Sequence, residues 1–279
     1  MPRFTSYDGT RLAYHLTGTG EPLLCLPGGA GRSAEYLGDL GGLATHRQLV
    51  LLDNRGTGDS DHPTDPATYR RDRLAHDVEA LREHLGLDHV DLLGHSAGAG
   101  IAMAYAQDHP DRLHHLVLLT PALRAVDLTP TTDDWTHHLA SHAHQPWFTA
   151  ATTALDRLNT GHATHDDRVT AAPLFYGRWD DTARAHADAE KTQRSLPALR
   201  GYWAPGAFTP GTTRRALMAL DIPVLVHAGD RDPISPPHRC AELAELIPTA
   251  TPTVQHGGGH FPWLDDPHHL VQTISDFLG

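Results

Sequence analysis

The sequence predicts an α/β fold built on a mostly parallel sheet, with an antiparallel N-terminal hairpin and an inserted helical segment. Short apolar runs alternate with helical segments over residues 22 to 119, which is typical of parallel strands joined by right-handed crossovers. The alternation stops at about Ala125 and resumes at Pro223. With 279 residues the chain can bury a large core, so we expect one α/β domain carrying an insertion.

The chain is predicted to begin with two half-buried antiparallel strands. Phe4 to Tyr7 forms the first, and Leu12, Tyr14 and Leu16 mark the second by their alternation. The pair Asp8-Gly9 between them is a common hairpin turn.

The other core elements follow from the apolar runs. Continuous short runs favour strands covered on both faces, and apolar residues three or four apart favour helices. The predicted strands are 22–26, 49–52, 90–93, 116–119, 223–227 and one near 253–255. The predicted helices are 72–85, ended by Gly86, then 102–107, 237–247 and 268–278.

The segment from about Ala125 to Gly211 has no apolar strand runs. Its helical stretches are broken by prolines and are rich in Ala, Asp, His and Trp. We therefore predict three parts: the first half of the core at 1–124, a helical insertion at 125–212 and the second half of the core at 213–279.

Composition argues against several classes of partner. The net charge is -12, with 22 Lys and Arg against 34 Asp and Glu, and nucleic-acid-binding proteins instead cluster cations. The first six residues lack the apolar region of a signal peptide, and no apolar run reaches the length of a membrane span. We expect a cytoplasmic protein, and a reducing compartment favours free thiols at Cys25 and Cys240.

The motif Gly94-His95-Ser96-Ala97-Gly98 lies between the predicted strand at Val90 to Leu93 and a helix. In a nucleophile elbow, the residues two before and two after the serine have almost no room for a side chain. Glycine occupies both places here. The helix that begins behind Ser96 directs its N-terminal N–H groups toward the space where negative charge collects in acyl transfer.

A serine hydroxyl needs a base within hydrogen-bond reach, and the base needs an acid that holds it. For the acid we choose Asp232, in the loop after a core strand, with Asp230 as its rival. For the base we choose His260, in the glycine-containing loop after the last strand, with His256 as its rival. Ser96, Asp232 and His260 are the predicted catalytic residues.

An oxyanion hole needs two N–H donors near the developing charge. One is predicted to be Ala97, which follows the nucleophile, and the other to come from the loop after the third strand. In that loop we choose Gly29, with Gly28 and Ala30 as alternatives.

Structural roles are predicted for two neighbouring residues. His95 adjoins Ser96 on a sharp bend, so its side chain is expected to point away from the reaction centre. Arg55, in the loop Asp53 to Ser60, is expected to be buried and to brace that loop through local carbonyl groups.

These motifs together resemble the α/β-hydrolase superfamily over essentially the whole chain. The order Ser96, Asp232, His260 matches its nucleophile, acid and base, and the loop Asp53-x-Arg55-Gly56-x-Gly58-x-Ser60 is similar to one shared by many members, including the proline iminopeptidase group. The resemblance implies the α/β-hydrolase fold, with the insertion as a cap over the active site.

The chain departs from the proline iminopeptidase pattern in two places. Those enzymes usually have His-Gly-Gly-Pro-Gly at the oxyanion loop, whereas Pro27-Gly28-Gly29-Ala30-Gly31 stands here. Their cap also has a Trp-Glu pair that receives the substrate amine, and Trp179-Asp180 is the nearest approach to it.

Aromatic residues are dense in the insertion, and some are expected to line an apolar substrate pocket. The predicted substrate-binding residues are Trp135, Trp147, Phe175, Tyr176, Trp179 and Trp203. Four histidines, His137, His138, His142 and His144, invite a zinc hypothesis, but H-E-x-x-H is absent. We expect a surface helix there and neither a metal nor a cofactor.

The favoured function is a serine hydrolase that cleaves an ester, amide or thioester of a small organic molecule through an acyl-enzyme. The alternatives are a proline iminopeptidase-like aminopeptidase, a lyase, cyclising acyltransferase or perhydrolase on the same scaffold, and a binding protein without turnover. The expected partner is a small-molecule substrate, with neither nucleic acid nor membrane, for a monomer or homodimer.

Overall fold

The structure is a computed structural model that describes residues 1–162 and 164–279, apart from the side chain of His165. Within these residues, eight strands form one sheet in the order β1-β2-β4-β3-β5-β6-β7-β8. The strands are β1 (Arg3–Thr5), β2 (Arg11–Thr17), β3 (Pro22–Leu26), β4 (Gln48–Leu52), β5 (Val90–His95), β6 (Leu113–Leu119), β7 (Val224–Gly229) and β8 (Ala250–Gln255).

The described ranges contain eleven α-helices, joined in places by short 3-10 turns. Those of the core are α1 (Arg71–His84), α2 (Ala97–Asp108), α9 (Pro237–Glu245), α10 (Pro262–Asp265) and α11 (Pro267–Leu278). Between β6 and β7 lie α3 (Thr132–His142), α4 (Phe148–Asn159), α5 (His165–Ala171), α6 (Asp181–Gln193), α7 (Leu196–Tyr202) and α8 (Pro210–Leu217).

The predicted mixed sheet is confirmed. β1 pairs with β2, and β2 with β4, in antiparallel registers, whereas β3 to β8 pair in parallel. Phe4, Leu12 and Tyr14 are buried as the alternation predicts, but Leu16, near the end of β2, is 49% exposed. Ala13 between Leu12 and Tyr14 is also buried, so the first part of β2 is covered on both faces and the alternation does not describe its burial.

The sheet is covered by helices on both faces, which explains the continuous apolar strand sequences. In β3, Leu24 and Leu26 pack into the cluster that contains α1, α2 and α9, whereas Leu23 and Cys25 pack into the cluster formed with α11. Burial of apolar surface on each face stabilises the fold by about 25 cal/mol per Å². Cys25 and Cys240 are both buried and free.

Helix α2 begins at Ala97, directly behind Ser96 as the elbow predicts, because burial of its small residues outweighs the low helix propensity of Gly98 and Gly100. One predicted boundary differs from the structure. Strand β8 begins at Ala250, earlier than expected. It is an edge strand with exposed polar residues and therefore has no apolar run.

The segment between β6 and β7, called the insertion below, is helical as predicted and has a small core around Ala151, Ala154 and Leu174. A backbone bridge between Arg32 and Arg194 ties it to the loop after β3. The bounds 125–212 stay a prediction, and α8, at the end of the segment, packs against α2 of the core. None of the helices in the described ranges is long and apolar enough to cross a membrane.

Candidate active site

The turn between β5 and α2 has the geometry that its glycines predict. Ser96 has φ 54° and ψ -117°, a strained conformation for a residue with a side chain. A Cβ on Gly94 would lie 2.6 Å from Ala99 Cα, and one on Gly98 would lie 2.8 Å from the carbonyl oxygen of Pro27. The elbow therefore requires glycine on both sides of Ser96.

The structure brings the three predicted catalytic side chains into one hydrogen-bonded chain. The distance is 2.8 Å between Ser96 Oγ and His260 Nε2, and 2.8 Å between His260 Nδ1 and Asp232 Oδ2. The carboxylate accepts from Nδ1–H, so Nε2 is left to accept the serine proton. Asp232 also accepts a backbone bond of 2.8 Å from Ile234, and its side chain is fully buried.

The two rival residues, Asp230 and His256, lie outside the hydrogen-bonded chain of Ser96, His260 and Asp232. Asp230 accepts a 2.7 Å bond from the Gly257 amide and lies 3.2 Å from His256 Nδ1, while the His256 side chain is 92% exposed. Asp230 therefore braces the loop that carries His260. Arg231 pairs with neither aspartate and donates to the Gly177 carbonyl at 2.8 Å.

The loop of His260 is also held from the insertion side. The His260 amide donates to the Phe175 carbonyl at 2.7 Å. Asp265, whose carboxyl pKa is raised by burial, accepts from the amides of Gly259 and Gly177 at 2.8 and 3.3 Å. Sequence reasoning missed Asp265 because its role depends on two loops that are far apart in the chain.

The loop after β3 approaches the elbow closely. A Cβ on Gly28 would lie 2.7 Å from Ser96 Cβ and 3.2 Å from Ala97 N, so only glycine fits there. Gly28 itself donates its N–H to Tyr36 Oη at 2.6 Å and is engaged. The predicted donors Gly29 and Ala97 both border the same cavity as Ser96, as does the alternative Ala30.

Tyr36 and His95 connect this loop to the backbone of His260. Tyr36 Oη accepts from Gly28 N–H and lies 2.6 Å from His95 Nδ1, and His95 Nε2 lies 2.8 Å from the His260 carbonyl. The donors and acceptors balance if Tyr36 donates to Nδ1 and Nε2–H donates to the carbonyl. Burial lowers the pKa of His95 well below its usual value, which favours this neutral ring.

His95 has both ring nitrogens bonded to protein, in keeping with a structural role. Its ring centroid nevertheless lies 5.0 Å from that of His260, and the residue borders the cavity. The predicted orientation away from the reaction centre was wrong, because the ring lies beside the base and supports it. Tyr36 was missed, since nothing in its local sequence marks it.

Arg55 is buried as predicted, but the predicted partners were wrong. Its Nε donates to Asp77 Oδ2 at 2.8 Å, and its Nη1 donates to Asp8 Oδ2 at 2.6 Å and to Thr68 Oγ1 at 2.7 Å. Side chains from α1 and the N-terminal turn reach the guanidinium, so carboxylates and a hydroxyl satisfy it rather than local carbonyls.

Ser96 and His260 open on a cavity of about 640 Å³ between the core and the insertion. Four of the six predicted substrate-binding aromatics line it: Trp135, Phe175, Tyr176 and Trp203. The other two do not, contrary to the prediction. Trp147 packs into the small core of the insertion, 5.4 Å from the His142 ring, and Trp179 packs between Tyr176 and Arg184.

The four histidines of the insertion border one common cavity beside Asp230 and Asp232, and the rings of His138 and His142 lie 4.8 Å apart. His138, expected on a surface, is buried, and its Nε2 donates to the Leu174 carbonyl at 2.8 Å. In the described part of the chain, the groups close enough to share a metal ion lie elsewhere, at Asp91 with His114 and His115 and at His15 with Asp53 and Asp59. Both groups lie outside the set of cavity-lining residues.

The fold and the geometry of this site define the class of protein. The family model described as the alpha/beta hydrolase fold matches residues 21–267, and the chain belongs to this family.

Individual relatives are distant but aligned over nearly their whole length. The chain is 26% identical to a proline iminopeptidase of Heyndrickxia coagulans, over 99% of this chain and 97% of that one. It is 28% identical to a 2-hydroxymuconate semialdehyde hydrolase of Pseudomonas sp. (strain CF600), over 97% and 91%. An esterase from Exiguobacterium antarcticum superposes with a TM-score of 0.76 at 18% identity, over 99% and 98%. These findings support a hydrolase enzyme.

Proposed function

We propose that the protein is a serine hydrolase that cleaves an ester, amide or thioester of a small organic molecule through an acyl-enzyme. The observation that carries the proposal is the chain of hydrogen bonds from Ser96 through His260 to Asp232, with each distance 2.8 Å, at the wall of the cavity between the core and the insertion. Nucleophile, base and donors are all protein groups, so the proposal requires no cofactor.

Acylation begins when Ser96 Oγ attacks the substrate carbonyl carbon. His260 Nε2 takes the hydroxyl proton, and Asp232 stabilises the resulting imidazolium. The carbonyl oxygen becomes an anion that accepts from the amides of Ala97 and Gly29, and such donors stabilise the transition state more than the ground state. The carbon–heteroatom bond then breaks, and the leaving group departs with the proton from His260.

Deacylation repeats the sequence with water. His260 removes a proton from water as it attacks the acyl carbon, the same amides hold the oxyanion, and Ser96 leaves with the proton from Nε2. The products are the free acid and the regenerated serine. Incubation in heavy-oxygen water tests this step, because hydrolysis places the label in the released acid, whereas a lyase or acyl-transfer reaction does not.

The aminopeptidase alternative needs a carboxylate for the substrate ammonium group. Among the cavity-lining residues that the structure describes, the one carboxylate is Glu190, and it is paired with Arg194 at 2.6 Å. Two aspartates of the insertion are engaged elsewhere. Asp134 closes a capping box with Thr131, and Asp180 caps α6.

We expect apolar p-nitrophenyl esters to be turned over with a higher kcat/KM than prolyl or alanyl p-nitroanilides. A cationic amine would enter a cavity whose single carboxylate is already paired, and its desolvation would be uncompensated. Steady-state kinetics on both series measures the ratio. A prolyl anilide cleaved faster than every ester tested, with activity lost in Glu190→Gln, would establish the aminopeptidase.

We expect Tyr36→Phe to lower kcat by roughly 10- to 100-fold, because Gly28 N–H and His95 Nδ1 both lose their partner and the two catalytic loops shift. The free energy of unfolding should fall by about 1–3 kcal/mol. The matched control is Tyr105→Phe, which removes a 2.7 Å bond to Glu79 outside the cavity. Thermal unfolding and kcat are measured on both, and an equal loss of kcat in the control would contradict the positioning role.

A further inference from the structure

The cavity has a charge opposite to that of the protein. The whole chain has a net charge of -12, yet the residues that line the cavity include four arginines and one glutamate. The arginines are Arg32, Arg124, Arg168 and Arg194. The average composition of the chain does not account for this excess of positive charge. The arginine side chains are concentrated at the cavity wall, beside the proposed nucleophile Ser96.

Arg32 is the most buried of these arginines, at 3% exposure. Its Nε donates to Gln193 Oε1 at 2.8 Å, its Nη2 donates to the His186 carbonyl at 2.8 Å, and the guanidinium stacks on Tyr36 at 4.5 Å. All these partners are neutral. Within the described residues Arg32 has no carboxylate in salt-bridge contact, although a buried charge is costly when no opposite charge compensates it.

The backbone places a second arginine directly opposite. Arg32 and Arg194 form an antiparallel bridge, and like charges at opposite positions of such a pair are destabilising. Glu190 compensates one of them, since it accepts from Arg194 Nε at 2.6 Å. Arg194 Nη1 also donates to the Gly29 carbonyl at 3.1 Å. The pair of Arg32 and Arg194 thus retains one uncompensated positive charge. Arg32 lies in the same loop as the predicted oxyanion donor Gly29.

The neighbours of Arg32 are held neutral. Burial and the charge of Arg32 lower the pKa of His186 to about 3, and burial raises the pKa of Tyr36 above its usual value. His186 accepts from Tyr176 Oη at 2.7 Å and donates to the Tyr36 carbonyl at 3.2 Å. The carboxylate whose charge reaches Arg32 is Glu190, and it is hydrogen-bonded to Arg194.

We propose that Arg32, together with Arg168 and Arg194, binds a carboxylate group of the substrate, so that the hydrolase acts on esters or amides that carry a second, anionic end. The inference rests on the proposed function and names its substrate class. Guanidinium donors match the planar geometry of a carboxylate. The aromatic walls accept the apolar part between the scissile carbonyl and the anion.

Matched esters test the proposal without any variant. In the first pair the charge is on the acyl side: the mono-p-nitrophenyl ester of adipic acid, which has a free carboxylate, is compared with its methyl ester, which is neutral. In the second pair the charge is on the leaving group: the hexanoate of p-hydroxybenzoic acid is compared with phenyl hexanoate, which is neutral. We expect kcat/KM to favour the anion by about tenfold or more in one pair. Equal or lower values for the anion in both pairs would overturn the proposal.

Variants locate the charge that discriminates. Arg32→Gln should reduce the ratio of anionic to neutral kcat/KM to about one, and Arg32→Lys should restore part of it because the charge returns without the planar donors. Arg184→Gln, on the exposed side of α6, is the matched control and should leave the ratio unchanged. Arg168→Gln provides a second measurement should Arg32→Gln fail to fold.

Binding separates a failure of this inference from a failure of the proposed function. In Ser96→Ala, calorimetry with the same adipate pair measures affinity without turnover. Tighter binding of the anionic ester supports the carboxylate site even where no hydrolysis is found. Equal affinities in Ser96→Ala, with the neutral ester hydrolysed normally by the wild type, would remove the site and leave the hydrolase intact.

Discussion

Replacement of Ser96 by alanine is expected to lower kcat by roughly 10⁴- to 10⁶-fold. The hydroxyl lies 2.8 Å from His260 Nε2 at the end of the hydrogen-bonded chain, so its removal leaves the base without a nucleophile to activate. The residual rate over water comes from the oxyanion donors and from binding. Initial rates on the best ester of the series measure the effect.

The control for this change is Ser141→Ala, which alters an exposed serine on α3. It should retain full activity. Alanine keeps the Cβ and the backbone conformation of residue 96 and removes one hydrogen bond, so the free energy of unfolding of Ser96→Ala should differ from that of the wild type by only about 1 kcal/mol. A loss of less than about tenfold in kcat would show that Ser96 is not the nucleophile.

Asp232→Asn should lower kcat by about 10⁴-fold, and Asp230→Asn should lower it far less. The asparagine amide would offer His260 Nδ1 the wrong hydrogen-bonding partner and favour the tautomer in which Nε2 cannot accept the serine proton. Asp230 contacts the Gly257 amide and the exposed His256 ring, so its change affects only the support of the loop.

The two aspartates form their own matched pair, since they are two residues apart in one loop and receive the same substitution. Steady-state kinetics and thermal unfolding on both variants separate catalysis from stability. Comparable losses of kcat, or a larger loss in Asp230→Asn, would reverse the assignment of the acid.

The sequence was sufficient for β3 to β7 because strands buried on both faces have no alternative to continuous apolar runs. The elbow could be predicted since glycine is the one residue that fits at Gly94 and Gly98. The order of strands placed the loops of Asp232 and His260 at the same edge of the sheet as Ser96, and the structure joins the three by hydrogen bonds.

The residues that hold the catalytic loops in place could not be predicted, because their roles depend on contacts between distant segments of the chain. Tyr36 reaches Gly28 and His95 from a short turn, and Asp265 joins the loop of His260 to Gly177. Neither residue stands in a local pattern. Arg55 shows the same limit, since burial was foreseeable but the partner Asp77 was not.

The sequence predicted that aromatic residues of the insertion line the cavity, but not which of them do so. The density of aromatics in the insertion indicated an apolar pocket, but helix orientation decides which of them face it. That orientation directs Trp135 and Trp203 inward, and Trp147 and Trp179 into other contacts. The charge of the cavity was hidden in the same way, because its arginines come from four separate segments of an acidic chain.

The central claim is that Ser96 becomes acylated, and covalent labelling tests it most directly. A fluorophosphonate probe is incubated with the wild type and with Ser96→Ala, and the modified peptide is mapped by mass spectrometry. The account predicts one adduct, on Ser96, in the wild type and none in the variant. An adduct on another serine, or equal labelling of the variant, would contradict it.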